Sequence, residues 1–537
     1  MAEKQPRINA IISVSDPENL EILGRALGEM GANIYATGGT KARLQAVGVE
    51  AHSISDLTGF PEILGGRVKT LHPGVHSGIL ARRDDPGQMA QLAEHGLQTI
   101  ELVAGNLYPF KKTIEKEGVT LEEAVENIDV GGPTMIRAAA KNFASVVVLS
   151  DPADYESVMQ EWRERGDVSM ETRRRLAAKA FRHVSEYDAL IAGYLGGRPT
   201  TGDRRPASQG SGELPEAITL NLRRVQTLRY GENPHQAGAL YGDDLAVGGA
   251  TLVGSLKQLQ GPELSYNNLM DADAALALVR DYTMSAVAII KHAGPCGIAC
   301  GTDGEDLAEV FSRALASDPV SAFGGIVGIN RPVDGKLAEH IGKTRFDVLV
   351  APAFDEEAVD MLARKKNLRL LAVPDSDVSH RDDDFESRLS FRQVSGGFLV
   401  QTRDAVDYEV LLEPVTLRHP TLEEIGDMVF AWRAVRHVRS NAIVLARRLA
   451  TVGIGGGQTS RVDSVKIAVE KAGEHARGSV MASDAFFPFP DGIEVAAAGG
   501  VTAVIQPGGS VNDDAVIEAA DTAGLAMVFT KKRHFRH

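Results

Sequence analysis

Two hydrophobic periods organise the chain. Residues 8–14 form a short apolar run of the kind that fills a buried strand. Ser15-Asp16-Pro17-Glu18 then has capping-box spacing with a proline in the first turn, which predicts a helix start. Ile22, Leu23, Ala26, Leu27 and Met30 follow on one helical face. A second strand over 33–37 ends in Gly38-Gly39-Thr40, where another helix is expected to begin. This strand–helix–strand–turn–helix order is the grammar of a doubly wound α/β sheet. Further strands are expected at 102–107 and 145–149, with a helix near 121–127 between them. Later in the chain, 285–290, 325–329 and 501–505 read as buried strands, so the larger C-terminal part is α/β as well.

The stretch 196–216 is rich in Gly, Pro and Ser and has no apolar periodicity, so it reads as a linker. It divides the chain into an N-terminal domain (1–198), a connection (199–215) and a C-terminal domain (216–537). The charged, aperiodic stretch 375–386 is expected to separate two subdomains of the latter. Ala316-Ser317-Asp318 before Phe323-Gly324 and Ala482-Ser483-Asp484 before Phe486 echo each other weakly, which suggests an internal duplication.

Length and composition narrow the class. The 537 residues are enough for several domains with sizeable cores, and 43% hydrophobic with 24% charged residues is globular composition. A formal charge of −15 argues against nucleic-acid and anionic-membrane partners unless basic groups cluster locally. The first nine residues are polar and no apolar run is long enough to span a bilayer, which points to the cytoplasm. Two cysteines, Cys296 and Cys300, exclude a disulfide framework. The 55 glycines exceed ordinary usage and imply many tight turns, some of them near ligands.

Several motifs fail on inspection. Ile341-Gly342-Lys343-Thr344 lacks the earlier P-loop glycine, Leu337 standing in its place, and the glycine run from Gly453 ends in Gln458 rather than completing a dinucleotide fingerprint. Pro295-Cys296 and Cys300 come near a zinc deaminase signature, but the cysteine spacing is one residue too long and His292 is not followed by x-Glu.

Other clusters suit anion and acyl chemistry. Thr37-Gly38-Gly39-Thr40 joins a strand end to a helix start, where free N–H groups hold phosphates. Gly65 to Pro73 gathers flexible glycines with Arg67, Lys69, Thr70 and His72. Lys291-His292, at the end of a buried strand that is expected to turn at Gly294-Pro295, could stabilise an oxyanion and accept a proton from an amine. The segment Arg229 to Gln236 and the basic tail Lys531 to His537 are further polar clusters.

These segments together resemble a known family. The runs TGFPEILGGRVKTLHPGVHSGILAR, RYGENPHQ, KHAGPCG, GGGQTSRVDSV and FTKKRHFRH, in this order from Ile11 to His537, are similar to those of the bifunctional AICAR transformylase/IMP cyclohydrolase family of purine biosynthesis. The resemblance implies a methylglyoxal-synthase-like N-terminal domain and a transformylase built from two cytidine-deaminase-like α/β subdomains without their zinc. It implies transfer of formyl from 10-formyltetrahydrofolate to AICAR, then cyclisation of the product FAICAR to IMP with loss of water, in a homodimer with shared transformylase sites and no catalytic metal. Matching positions make Lys291, His292 and Asn441 catalytic in formyl transfer. Arg229, Tyr230 and Arg533 match nucleotide-binding positions, and Phe323, Gly324, Asp347, Arg461, Phe486, Pro488, Phe489 and Asp491 match lining positions of the substrate and folate pocket. Lys69, Thr70, Tyr108, Asp129 and Lys141 match the cyclohydrolase's active residues, and Ser13, Ser15, Thr37, Gly38, Thr40 and Arg67 its phosphate cradle. Two other readings stay open on sequence alone: a zinc-type nucleobase deaminase and a non-catalytic purine-nucleotide sensor.

Overall fold

The computed structural model describes residues 8–116, 118–196, 214, 216–220, 222–243, 256–302, 304–374, 389–404 and 409–537. The described residues fall into two compact units, the first essentially 8–196 and the second 222–537. Most of the expected linker, and the expected subdomain break at 375–386, lie outside the described residues.

The first unit holds a five-stranded, all-parallel sheet in the order β3-β2-β1-β4-β5. Its strands are β1 (Asn9–Ser13), β2 (Asn33–Ala36), β3 (His52–Ser53), β4 (Leu102–Gly105) and β5 (Val147–Leu149). The strand order reverses between β1 and β4, and open α/β sheets bind ligands beyond the carboxyl ends of their strands at such a switch point. The apolar runs read from sequence are these strands, with Ile11, Ile12, Val103 and Val148 buried in one core. The expected capping box at Ser15 does not form. The Asn106 side chain, just past β4, accepts the N–H groups of both Ser15 (2.6 Å) and Asp16 (2.9 Å). The helix therefore starts later, at Leu20–Glu29. A tertiary acceptor at the switch point wins over a local cap that is worth about 1 kcal/mol.

The second unit contains a twelve-stranded sheet made of two halves with the same plan. The first half runs β8 (Lys257–Gln260), helix Tyr266–Val279, β9 (Ala286–Lys291), β10 (Gly294–Cys300), helix Leu307–Ala316, β11 (Ile326–Ile329), helix Gly335–Gly342, β12 (Val348–Ala351), helix Glu356–Leu362 and β13 (Arg369–Ala372). The second half repeats it element for element. It runs β16 (Glu413–Pro414), helix Leu422–Val435, β17 (Ile443–Arg447), β18 (Ala450–Gly455), helix Arg461–Ala472, β19 (Val480–Ser483), helix Asp491–Ala498, β20 (Ala503–Gln506), helix Asp513–Thr522 and β21 (Ala526–Phe529). Each half pairs its hairpin and edge strand antiparallel and its remaining strands parallel. The halves join where β10 meets β18, with Ala299 opposite Ala450. Alternate residues of β9 explain its unbroken apolar run: Ala286, Ala288 and Ile290 enter a core shared by both halves, while Val287 and Ile289 enter one on the opposite face.

The duplication is real, but the Ala-Ser-Asp echo does not mark it. Ala316 ends a helix and Ser317 follows it, whereas Ala482 and Ser483 end β19. The residue after β19, Asp484, corresponds to Asn330 after β11. Each donates its backbone N–H to a residue at or just before the start of the hairpin's first strand, Asn330 to Ala286 O and Asp484 to Ala442 O.

Two further hairpins stand apart: β6 (Leu222–Leu228) with β7 (Gly238–Asp243), and β14 (Leu389–Val394) with β15 (Gly397–Thr402).

Helix Leu422–Val435 is fixed at its start by a Thr421/Glu424 capping box and by paired Arg418–Glu424 bonds of 2.8 and 3.0 Å. Burial opposes the Glu424 charge, but Arg418 and the Thr421 N–H outweigh it and hold the carboxyl at about 2. Because the folded value is depressed, this stabilisation is present above the ordinary value of 4.5 and is lost as pH falls towards 2. Glu424→Gln is expected to lower stability by about 1–3 kcal/mol in thermal melts at pH above 4.5. The difference from wild type should shrink as the pH approaches 2.

Candidate active sites

At the switch point of the first unit, Ser13, Thr37 and Thr40 form a hydroxyl chain: Ser13 Oγ to Thr37 Oγ1 is 3.3 Å and Thr37 Oγ1 to Thr40 Oγ1 is 3.4 Å. Thr40 also holds both backbone polar groups of Val14, at 3.2 Å each. Thr37 caps helix Gly38–Ala46 without lending its side chain to the first-turn N–H groups, and the space beside Gly38 and Gly39 is open. First-turn N–H groups free of a side-chain acceptor beside open space suit a phosphate. Ser15 stands on the same rim, held through Asn106.

A second cluster adjoins the end of β4. Thr70 is buried, and a methyl group added to Gly131 would sit 2.4 Å from its Oγ1. Asp129 Oδ1 accepts the Gly132 N–H at 2.9 Å, and its carboxylate also meets the N–H groups of Gly131 and Tyr108 and the charge of Lys69. Burial nonetheless pushes the Asp129 pKa upward, because those donors and Lys69 only partly offset the loss of water. Lys69, Thr70, Tyr108 and Asp129 thus come together. A small pocket beside Lys69 is walled by Ser55, Thr58, Phe60, Pro61, Glu62 and His72. Arg67 extends instead to Glu126 in an exposed ion pair. Lys141 is exposed at the far end of helix Gly131–Lys141, about 15 Å along its axis from Gly131.

In the second unit, Lys291 ends β9 and its Nζ bonds the Phe323 carbonyl. Gly324 takes φ 70°, donates its N–H to Arg345 O at 2.8 Å, and lies 3.8 Å from Lys291 Nζ when measured from a Cβ built upon it. Arg345 covers the exposed Phe323 ring at 5.7 Å, and the Asp347 N–H reaches Gly325 O at 2.9 Å. The turn carrying His292 differs from expectation. Gly294 and Pro295 begin β10, and the two-residue turn is His292-Ala293, with φ of 54° and 57°. Arg229 lies over Tyr230 at 4.8 Å and donates to its hydroxyl at 2.9 Å. Both lie near Arg369, as does Asp347. Burial lowers the Arg369 pKa, and its guanidinium is tied to Glu263 O at 3.1 and 3.2 Å. Sequence reading missed Arg369 because it sits inside an apolar strand with no motif around it.

The second half contributes a denser network. Arg461 Nη2 donates to Asn441 Oδ1 at 2.7 Å, and Nη1 to Ser483 Oγ at 2.8 Å and Asp484 Oδ1 at 2.5 Å. Asn441 Nδ2 donates to the carbonyls of Gln458 (3.0 Å) and Thr459 (3.2 Å). A flipped Asn441 amide would oppose donor to donor at Arg461, so the network sets its orientation. Ser440 Oγ donates to Asp484 Oδ2 at 2.5 Å and receives the Arg536 N–H at 3.1 Å. The basic tail is therefore partly built in, while Arg533 itself stays exposed, stacked on Phe535 at 4.5 Å. Asp484 is fully buried and completes the Arg461 pair; only the Ala-Ser-Asp echo had drawn attention to it. Phe486 and Phe489 are exposed beyond β19, Asn512 donates to Pro488 O at 2.7 Å, and Asp491 Oδ1 takes the Gly492 N–H at 2.7 Å. Cys296 and Cys300 are free thiols, and burial pushes Cys296 to about 11. Among the described residues no group of three or more His, Cys, Asp or Glu side chains is placed to hold a metal ion.

A switch point with free first-turn N–H groups, a half-buried carboxylate at Asp129, and a duplicated domain with a Lys-His turn are the features of an α/β enzyme with two candidate sites. Comparison with known proteins agrees. The model of the AICARFT/IMPCHase bienzyme family matches residues 139–471, and that of the MGS-like domain matches 19–134. The chain is 49% identical over 529 residues to the bifunctional purine biosynthesis protein PurH of Bacillus subtilis (strain 168), covering 98% of this chain and 99% of that one. It is 49% identical, with the same coverage, to the protein of that name from Halalkalibacterium halodurans. A solved structure titled ForH aligns with 35% of this chain and 99% of its own at 41% identity, with a TM-score of 0.33. The chain belongs to the AICARFT/IMPCHase bienzyme family, with an MGS-like N-terminal domain.

Proposed function

We propose how the two sites divide the work. The chain is a bifunctional purine-biosynthesis enzyme, an AICAR formyltransferase and IMP cyclohydrolase. In our reading the second unit transfers the formyl group of 10-formyltetrahydrofolate to the 5-amino group of AICAR. That amine is a weak nucleophile because its lone pair delocalises into the ring. It attacks the formyl carbon, His292 takes the amine proton, and Lys291 stabilises the oxyanion until the folate nitrogen leaves with a proton. Arg229, Tyr230 and Arg533 bind the nucleotide, and Arg461 fixes the Asn441 carboxamide beside the reacting groups. Phe323, Gly324, Asp347, Phe486, Pro488, Phe489 and Asp491 line the pocket.

The first unit closes FAICAR to IMP. The carboxamide nitrogen attacks the formyl carbon, and the carbinol so formed loses water. Ser13, Ser15, Thr37, Gly38, Thr40 and Arg67 hold the phosphate. Lys69 and the Tyr108 hydroxyl stabilise charge at the formyl oxygen, Thr70 orients the carboxamide, and Asp129, whose pKa burial raises, accepts and returns a proton. Lys141 is assigned to this site by the resemblance, from the far end of helix Gly131–Lys141. The observation that carries the reading is the Lys69–Thr70–Tyr108–Asp129 cluster at one end of this helix, beside a ready-made phosphate cradle.

The test supplies each substrate separately. AICAR with 10-formyltetrahydrofolate should yield tetrahydrofolate and IMP, and FAICAR alone should yield IMP. Binding of AICAR or IMP without turnover would contradict the reading. A methyl at position 132 would lie 2.5 Å from Asp129 Oδ2 and 2.9 Å from Leu107. Gly132→Ala is therefore expected to slow FAICAR cyclisation by about tenfold or more through misplacement of the carboxylate, with formyl transfer unchanged.

The protein works as a homodimer in the cytoplasm, on this reading. The exposed apolar side chains Phe391, Phe398 and Leu399 on the β14–β15 hairpin support the dimer, because a two-stranded hairpin alone is marginal in water. No helix of the described residues is long and apolar enough to cross a membrane. Light scattering should give a dimer; a fully active monomer would contradict it.

A further inference from the structure

His292 and Ala293 both take left-handed backbone conformations, with φ of 54° and 57°. Positive φ at both central residues is the type I′ hairpin pattern, which normally selects Asn-Gly. A residue with a Cβ is disfavoured there, because the Cβ crowds the following carbonyl oxygen. Neither residue relieves that cost locally, and the neighbouring Gly294 is not used for it. The relief comes from helix Tyr266–Val279. Asp271, almost fully buried, accepts the Ala293 N–H through Oδ1 at 2.7 Å, and its carboxylate also takes the His292 N–H.

The second half of the domain repeats the device. Asp427 stands six residues after its helix cap, Thr421, as Asp271 does after Ser265. Asp427 accepts the N–H groups of Arg448 (2.9 Å) and Leu449 (2.7 Å), the two central residues of the β17–β18 turn, both with φ of 55°. A carboxylate from the preceding helix thus holds a strained two-residue turn in both halves, and only in the first half does the turn carry Lys291 and His292 at its corner.

We propose that Asp271 is the positioning residue of formyl transfer, holding the His292-Ala293 turn so that the imidazole meets the attacking amine. This rests on the reading of His292 as the proton acceptor. The imidazole leaves the chain at a turn residue, so rotation about the His292 backbone swings it bodily. A shift of about 1 Å can cost on the order of 10²-fold in rate. Asp271 touches no reactant and acts through the backbone it holds.

The experiment compares four variants of the full-length protein in formyl transfer, with circular dichroism and thermal melts. Asp271→Ala should lower kcat by about 10²-fold with KM for AICAR little changed, because the nucleotide is held by other residues. Asp271→Asn, which keeps an acceptor for one N–H, should recover most of that loss. Asp271→Ala/Ala293→Gly should recover part of it, because glycine adopts positive φ freely. Asp427→Ala should lower the melting temperature as Asp271→Ala does while leaving kcat near wild type. Wild-type kcat in Asp271→Ala, or an equal kcat loss in Asp427→Ala, overturns the proposal. His292→Ala is run beside them. If it keeps its activity, the reading of His292 fails; if it loses activity while Asp271→Ala does not, the positioning role alone fails.

Discussion

Replacing Lys69 by alanine should remove most IMP formation from FAICAR, by about 10²–10³-fold, while formyl transfer to AICAR proceeds at the wild-type rate. The size follows from the charge the reaction develops. Attack of the carboxamide nitrogen places negative charge on the former formyl oxygen, and Lys69 is the cation beside the half-buried Asp129 carboxylate. Loss of the cation leaves that oxygen with neutral donors. It also removes the charge that favours ionised Asp129, so the pKa of that carboxyl, already raised by burial, should rise further. The cyclisation rate of Lys69→Ala is therefore expected to fall off at higher pH than that of wild type as the pH is lowered. Measurement of IMP formation from FAICAR across pH checks both effects.

Replacing His292 by alanine should lower formyl transfer by about 10²–10⁴-fold and leave FAICAR cyclisation unchanged. The aromatic amine of AICAR loses its proton only as the new C–N bond forms, so the reaction needs a base within reach at that moment. His292 is held at a turn whose N–H groups both go to Asp271, beside Lys291. Alanine has the same backbone preference as the neighbouring Ala293, so the turn survives and the effect reads the imidazole alone. Tetrahydrofolate release measured with AICAR and the formyl donor gives the result.

How much of this was legible in sequence depends on where the determining contact lies. Strands such as β1, β4 and β9 were visible because burial on both faces leaves continuous apolar runs. The Gly38 helix start was visible because its turn chemistry is local. The capping box at Ser15 failed because its competitor, Asn106, lies some ninety residues away in sequence, just past the end of β4. The turn at His292-Ala293 was misplaced onto Gly294-Pro295 for the same reason: local propensity favours glycine, and the carboxylate that reverses the choice is on a helix twenty residues earlier. Lys69, Thr70, Asp129, Lys291 and His292 lie in dense motifs and could be picked out. Asp271, Arg369 and Asp484 could not, since no motif surrounds them and the meaning of each appears only with its partner. The duplication was suspected from three letters that occupy non-equivalent places; the topology carries it instead.

On the proposed function, one chain holds two chemically independent sites, joined only by a diffusible intermediate. Mixing the Lys69→Ala and His292→Ala proteins with AICAR and 10-formyltetrahydrofolate tests it most directly. The first variant should supply FAICAR and the second should close it, so the mixture should form IMP although neither variant does alone. Absence of IMP from the mixture, with each variant retaining its remaining single activity, would contradict the claim.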